Sequence, residues 1–381
     1  MKFRVERDAF ADAVAWAARS LPIRPSVPVL AGLLIETDDA GLVLSGFDYE
    51  TSARVTVSAE VADEGRALVS GRLLADICRS LPPRPVEMTT EGTKVSLTCG
   101  SARFSLQTMP VEDYPSLPDL PTASGTVRSD VFAASVLQAV TAAGRDDMLP
   151  VLTGVRLEID GSTITLMATD RYRLSLGELQ WSPEQTDLTA TVLVPARVLA
   201  DTAKSLTAGT QVTLALASGG AGGEGIIGFE GVVGGSSRRT TTRLLDGDFP
   251  KVRALFPSES STVARVSTPA LVEAVKRVSL VAERNTPVRL SFTQGSLTLE
   301  AGSGDEAQAS ESLEASIEGE DISTGFNPGY LLDGLGVIDA PVAHLAFTQP
   351  SRPAALAGAA DLEAEPDLDF RYLLMPVRLQ G

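Results

Sequence analysis

Apolar residues recur along this chain at two periods, and the alternation of periods comes round three times. Three segments carry helical spacing: "RDAFADAVAWAARS" (7–20), "SDVFAASVLQAVTAAG" (129–144) and "TPALVEAVKRVSLVAER" (268–284). Each follows a short alternating run, "FRV", "GTVR" or "ARVS". Each then leads to a proline and a strand, "PVLAGLLIE" from Pro28, "PVLTGVRLEI" from Pro150 and "PVRLSF" from Pro287. A turn and a second strand come next: "GLVLSGFD", "STITLMATD" and "GSLTLEAG". Asp8 and Ser129 stand where helix N-caps are expected, and Pro269 suits a first helical turn.

A second helix repeats as well. "LVSGRLLADICRSL" (68–81), "LVPARVLADTAKSL" (193–206) and "GFNPGYLLDGLGVI" (325–338) align without gaps on Ser70, Pro195 and Pro328. Pro-rich stretches at 109–121 and 244–257 read as linkers, so three domains are expected over 1–122, 123–258 and 259–381. Each combines two helices with roughly eight strands, which makes the fold class α+β. One apolar stripe per helix covers one sheet face and leaves a polar stripe outward.

The second strand of each repeat breaks at a polar turn. In "GLVLSGFDYETSARV" (41–55) the break is ordinary, since Asp tolerates a turn. In "STITLMATDRYRLSL" (162–176) it is Thr169-Asp170-Arg171-Tyr172-Arg173, far richer than a turn requires.

Composition removes whole classes of function. The 381 residues are 44% hydrophobic and carry a formal charge of −17, which argues against nucleic-acid binding over the whole surface but not against a local basic face. No apolar run is long enough for a membrane span, and "MKFRVERDAF" starts directly in an alternating pattern, so a cytoplasmic protein is expected. Cys78, Cys99 and the single His344 make neither a disulfide framework nor a metal site, and no cofactor is expected. Nucleophile-elbow and phosphate-loop signatures are missing, which weighs against an enzyme. Gly220 to Gly225 satisfies G-x-G-x-x-G, but the strand-like "IIGFEGVV" follows where a nucleotide site needs a helix, so a hairpin loop is the expectation. Asp146 and Asp147 flank a turn.

The three repeats, "ATDRYRL" (168–174) and the ending "LLMPVRL" (373–379) together resemble the bacterial sliding clamp family, the beta subunit of the replicative DNA polymerase III, in its actinobacterial form. The resemblance covers nearly the whole chain. It implies the DNA-clamp fold and a non-catalytic homodimeric ring around duplex DNA. An ATP-driven loader places such a ring, and polymerase subunits hold it through short peptides. Size agrees: a repeat of ~127 residues is roughly 36 Å across, so three leave a hole of ~6 Å and six leave ~36 Å, against roughly 20 Å for a duplex.

The resemblance also implies three sites. The helices would line the hole, with Arg7, Arg19, Arg24, Arg72, Arg79, Arg197, Lys204, Lys276, Arg277 and Arg284 directed at phosphates, and Arg145 just after one of them. A pocket between the middle and last domains would take the Leu or Phe anchors of partner peptides. Its residues would be Leu152, Thr169, Tyr172, Arg173, Leu174, Pro250, Leu255, Asn327 and Tyr330, with the tail Leu374, Met375, Pro376, Val377, Arg378 and Leu379. Arg173 and Arg378 would hold peptide carbonyls or an acidic group, and Met375 would adapt to different partners. The dimer seam would use "SARFSLQT" (101–108) as an edge, with Arg103, Phe104 and Leu106 meeting Leu280, Asp305 and Glu306. A second reading keeps the ring but alters the pocket, as in a paralogue resisting a clamp-binding antibiotic. It draws on helices without Lys or Arg at 129–144 and 328–338, the Gly-rich 218–236 and the Gln380-Gly381 extension.

Overall fold

A computed structural model describes residues 1–38, 41–217, 225–282, 286–302 and 307–378. The chain divides into two compact units, one of Met1–Ala133, Trp181–Leu188 and Asp201–Leu244, the other of Ala134–Gln180, Thr189–Ala200 and Leu245–Gly381. The division falls within helices Ser129–Val140 and Ala196–Leu206, so the strands of the middle repeat serve both units.

Unit 1 is built on a 14-stranded sheet running from Ser182–Pro183 to Glu60–Asp63, with every neighbouring pair antiparallel. Strand Thr51–Val57 of the first repeat joins strand Ser236–Arg243 of the middle one, with Ser52 opposite Thr241. Helix Arg7–Ala17 buries Phe10, Ala13, Val14 and Ala17 against this sheet, and helix Gly71–Ser80 adds Leu74, Ile77 and Cys78. The spacing of these residues puts them on one stripe, and each large side chain so buried contributes about 1.5–3 kcal/mol. Arg7 fastens the two helices, donating from Nε and Nη2 to the Leu81 carbonyl at 3.1 and 2.8 Å.

Unit 2 holds a nine-stranded sheet from Thr189–Pro195 to Ser316–Gly319 and a four-stranded sheet ending in Ala309–Glu314. Here strand Arg173–Gln180 of the middle repeat joins strand Asp367–Leu374 of the last, with Leu174 opposite Leu373. Helix Thr268–Val278 buries Leu271, Ala274, Val275 and Val278 and packs beside helix Pro328–Leu335.

Several local expectations are corrected. Helices end sooner than the apolar pattern does: 7–20 is α-helical only to Ala17 and closes in a 3-10 turn at Ala18–Ser20, and 268–284 becomes 3-10 at Ser279–Val281. The prolines at 28 and 150 open 3-10 turns, Pro28–Ala31 and Pro150–Thr153, and the strands begin at the glycines that follow. Asp8 lies inside the first turn, behind Glu6. Ser129 is already helical, with its buried Oγ lacking a partner among the described residues. A side-chain cap is found instead at Asn327, whose Oδ1 accepts from the Tyr330 N–H at 3.1 Å. The expected hairpin loop at 220–225 falls on the segment 218–224, which lies outside the described residues; the flanking strands Gln211–Ala217 and Ile226–Val233 pair antiparallel. The next turn, Gly234-Gly235, has φ of 58° and 80°, the two left-handed positions of a tight hairpin. Among the described residues, no helix is long and apolar enough to cross a membrane.

Candidate functional site

The rich turn of the middle repeat is built by Asp170. Its Oδ1 accepts from the N–H groups of Tyr172 and Arg173, both at 3.0 Å, and its own N–H donates to the Arg173 carbonyl at 3.3 Å. Thr169 Oγ1 accepts from the Arg171 N–H at 3.2 Å and donates to the Arg173 carbonyl at 2.7 Å. This chemistry leaves Tyr172 exposed and turns Arg173 inward.

Arg173 is the centre of the site. Its side chain is only 5% exposed, with Nε 2.9 Å from Asp170 Oδ2 and Nη1 2.5 Å from Asp333 Oδ2. Nη1 also lies 3.4 Å from the Tyr372 hydroxyl, and the guanidinium carbon sits 4.4 Å from the Tyr330 ring centroid. Burial works against the charge, but the Tyr372 hydroxyl with the carboxylates of Asp333 and Asp170 more than offsets it and keeps the group protonated. Burial in turn holds the Tyr372 and Tyr330 phenols above their ordinary range. Arg173 is therefore a staple between the turn and helix Pro328–Leu335, not the free peptide clasp expected of it.

Around this staple lies a cavity of 510 Å³ within unit 2. Leu149 and Leu152 supply its apolar side; Tyr172 and Tyr330 stack at 6.2 Å with 25° between their planes; Asn327 and Gly329 close the helix end. Behind the lining, Gly334 lets helix Pro328–Leu335 lie against Tyr372, because a β-carbon there would stand 2.5 Å from Cδ1 and Cε1 of that ring. The Tyr372 hydroxyl donates to the Tyr330 carbonyl at 2.9 Å and locks that packing. The tail is laced in by its backbone: the Met375 N–H donates to the Tyr172 carbonyl at 2.9 Å and the Val377 N–H to the Gly325 carbonyl at 2.8 Å.

Five of the expected pocket residues line this cavity: Leu152, Tyr172, Arg173, Asn327 and Tyr330. Leu174 belongs instead to an adjoining apolar cluster with Met167, Phe249, Val252 and Leu373. Pro250 and Leu255 are exposed beside it, Leu374 is wholly buried, and Thr169 is committed to the turn. Met375, Pro376 and Val377 are half-buried and Arg378 is exposed. Sequence reasoning missed Arg145, Asp146, Leu149, Asp170, Arg171 and Asp333 as lining residues. Arg145 lines the cavity and does not belong with the helix cations. Asp146 is the turn residue expected of it, accepting from the Met148 N–H at 3.0 Å.

Among the described residues, the helix cations divide into those with and those without a hydrogen bond or ion pair. Arg24, Arg72, Arg79, Arg197, Lys204, Lys276 and Arg277 are all exposed. Arg72 Nη2 donates to the Pro22 carbonyl at 3.1 Å and steadies the loop that carries Arg24. Arg79 pairs with Asp76, Lys276 with Glu273 at 2.8 Å, and Arg277 grips Glu311 through Nε and Nη2 at 3.0 and 2.5 Å. Arg284, Asp305, Glu306 and Leu379 lie outside the described residues. On strand Ala102–Met109, Arg103 is exposed and Phe104 half-buried, but Leu106 is 3% exposed in the core of unit 1, which removes it from any outward seam. That strand is no simple edge either: it pairs along its length with Lys94–Cys99 and, at Thr108 and Met109, with Val69 and Leu68. Leu280 is 84% exposed.

Three family models match nearly the whole chain. They are described as the DNA polymerase III beta subunit N-terminal domain (residues 1–118), central domain (126–251) and C-terminal domain (253–378). The chain is 61% identical to the beta sliding clamp of Streptomyces coelicolor over 381 residues, covering 100% of both. It is 46% identical to the beta sliding clamp homolog GriR of Streptomyces muensis over 378 residues, 99% of each. The crystal structure of the DNA polymerase sliding clamp from Bacillus subtilis matches with a TM-score of 0.89 at 25% identity, covering 100% of both chains.

Proposed function

The chain belongs to the DNA polymerase III beta subunit family, the sliding clamps, and from that premise we propose that it forms a homodimeric ring that slides on duplex DNA and tethers polymerases by peptides seated in the unit 2 cavity. Its role is a non-catalytic one, exercised in the cytoplasm, and a loader that uses ATP places it on DNA. The identity of 61% to a beta sliding clamp, against 46% to a beta sliding clamp homolog, favours the ordinary clamp over a paralogue with an altered pocket. The modules of the ring are the repeats 1–122, 123–258 and 259–381.

The observation that carries the docking role is the cavity itself, walled by Tyr172 and Tyr330 with Leu149 and Leu152 and held by a buried arginine paired to a carboxylate 160 residues away in sequence. A concave site with apolar anchoring surface and a few fixed polar groups is what short peptide motifs require. The exposed cations at Arg24, Arg72, Arg197 and Lys204 support weak phosphate binding without base reading. For the seam, the outer edge of Ala309–Glu314 and the part of Ala102–Met109 before Thr108 each have a ladder on one side only among the described residues.

Deletion of Met375 to Leu379 tests the docking role. It is expected to abolish binding of a labelled peptide ending in Leu-Phe while the dimer persists in sedimentation; loss of the dimer with peptide binding retained would reject the assignment. Reversing charge at Arg24, Arg197 and Lys276 together should lower loading on primed circular DNA and reduce its salt slope by about 0.9 for each phosphate no longer neutralised. Loading indifferent to the triple change would reject the inner face.

A further inference from the structure

We propose that the mouth of the unit 2 cavity recognises an acidic residue flanking the apolar anchors of a docked peptide, and that Arg171, assisted by Arg145, is the residue that selects it. This rests on the docking role above and adds the chemistry of the partner.

Arg171 sits at φ 80°, a backbone region that glycine enters freely and other residues seldom occupy. Its side chain makes none of the turn's hydrogen bonds. Asp170 and Thr169 make the turn's side-chain hydrogen bonds, and from position 171 they use only the backbone N–H. Glycine would serve the fold better, so the guanidinium is retained for something outside it.

Its surroundings say what. Arg173, the Tyr330 ring, the Tyr172 ring and Arg171 form a ladder from the interior outward, with steps of 4.4, 6.2 and 6.0 Å. The inner cation is neutralised by Asp170 and Asp333, whereas the outer one is exposed and has no ion pair among the described residues. Arg145, also exposed on the cavity lining, likewise has none. Of the lining carboxylates, Asp170 and Asp333 are held by Arg173, and Asp146 accepts a backbone N–H. Two cations with no ion pair among the described residues, against the single lining carboxylate that Arg173 does not hold, Asp146, thus flank the cavity on a chain of net charge −17. A carboxylate beside an apolar anchor satisfies both at once, and the cation–ring stack leaves Arg171 ready to receive it. A nucleic-acid phosphate would satisfy the cations but would leave Leu149 and Leu152 unused.

The test uses the full-length protein and two fluorescein-labelled peptides ending in Leu-Phe, one with Asp-Glu before that pair and one with the isosteric Asn-Gln. Anisotropy titrations at low salt should show the acidic peptide binding about tenfold more tightly, with the ratio collapsing at about 0.5 M NaCl. Arg171→Gly, chosen because its backbone already suits glycine, should bring the ratio near one, and Arg145→Gln should lower it part of the way. Equal affinities in the unchanged protein, or a ratio that survives Arg171→Gly, would overturn the proposal. Failure of both peptides to bind saturably would instead sink the docking role and this proposal with it. Displacement by a 5′-phosphorylated oligonucleotide, without discrimination between peptides, would reassign the mouth to phosphate.

Discussion

At the first join between repeats, Asp48 Oδ1 accepts from the N–H groups of Glu50 and Thr51 at 3.0 and 2.6 Å, and Tyr49 follows it at φ 75°. At the second, Asp170 does the same for Tyr172 and Arg173, and Arg171 follows at φ 80°. Each turn then receives a backbone N–H from the far strand of its join: Arg243 to Glu50 at 3.0 Å, Met375 to Tyr172 at 2.9 Å. The scaffold is shared; the filling differs. The first join places hydroxyls face to face, Ser52 and Thr241 at 2.5 Å, and sends the Arg243 Nε to the Tyr49 carbonyl at 3.1 Å. The second places Leu174 against Leu373 and puts a buried arginine where the first has Thr51. One join is satisfied by local polar groups, and the other sets a buried, ion-paired charge on the lining of a cavity.

The sharpest way to break that contrast is Arg173→Met. Asp170 would lose the cation it faces in the interior, and urea unfolding should show a loss of about 3 kcal/mol in unit 2. A loss below about 1 kcal/mol would mean that apolar packing, and not the ion pair, holds the second join. At the first join, Ser52→Ala strands the buried Thr241 hydroxyl and should cost about 1–2 kcal/mol, most of it recovered when Thr241→Val is added. A double variant no better than the single one would show that the hydroxyl pair is incidental. Smallest is the relief of the left-handed residues: Arg171→Gly should gain up to about 1 kcal/mol. Tyr49→Gly should gain less, since its ring lies 5.7 Å from that of Phe47. Equal gains would mean that the two turns are strained alike and that the ring pair is worth little.

Much of this is legible in the chain. Periodicity places the six α-helices found among the described residues, and the duplicated interruption marks both joins, because an Asp that accepts two successive N–H groups is a local device written within four residues. What cannot be read is the partner of Arg173. Asp333 lies 160 positions away in an unremarkable helix, and nothing in "GYLLDGL" announces a counter-ion for a buried cation. The same holds for Leu106: alternation assigns it a face, but only the packed core shows that this face is the inner one. Arg145 follows a helix in sequence and so reads as one of its cations, while the chain reversal at Gly144, whose N–H donates to the Leu152 carbonyl at 2.7 Å, accompanies its place on the cavity. The Ser129 cap fails for a smaller reason, since the helix starts one residue early and consumes it.

Gly334 has a consequence of its own. The helix at 328–335 rests flush on the Tyr372 ring only because that position has no side chain. Adding a single methyl group would act as a shim, lifting the helix and drawing Asp333 away from the guanidinium it neutralises. The place of a carboxylate on the cavity lining is thus gauged by one missing carbon, at a residue that does not itself line the cavity.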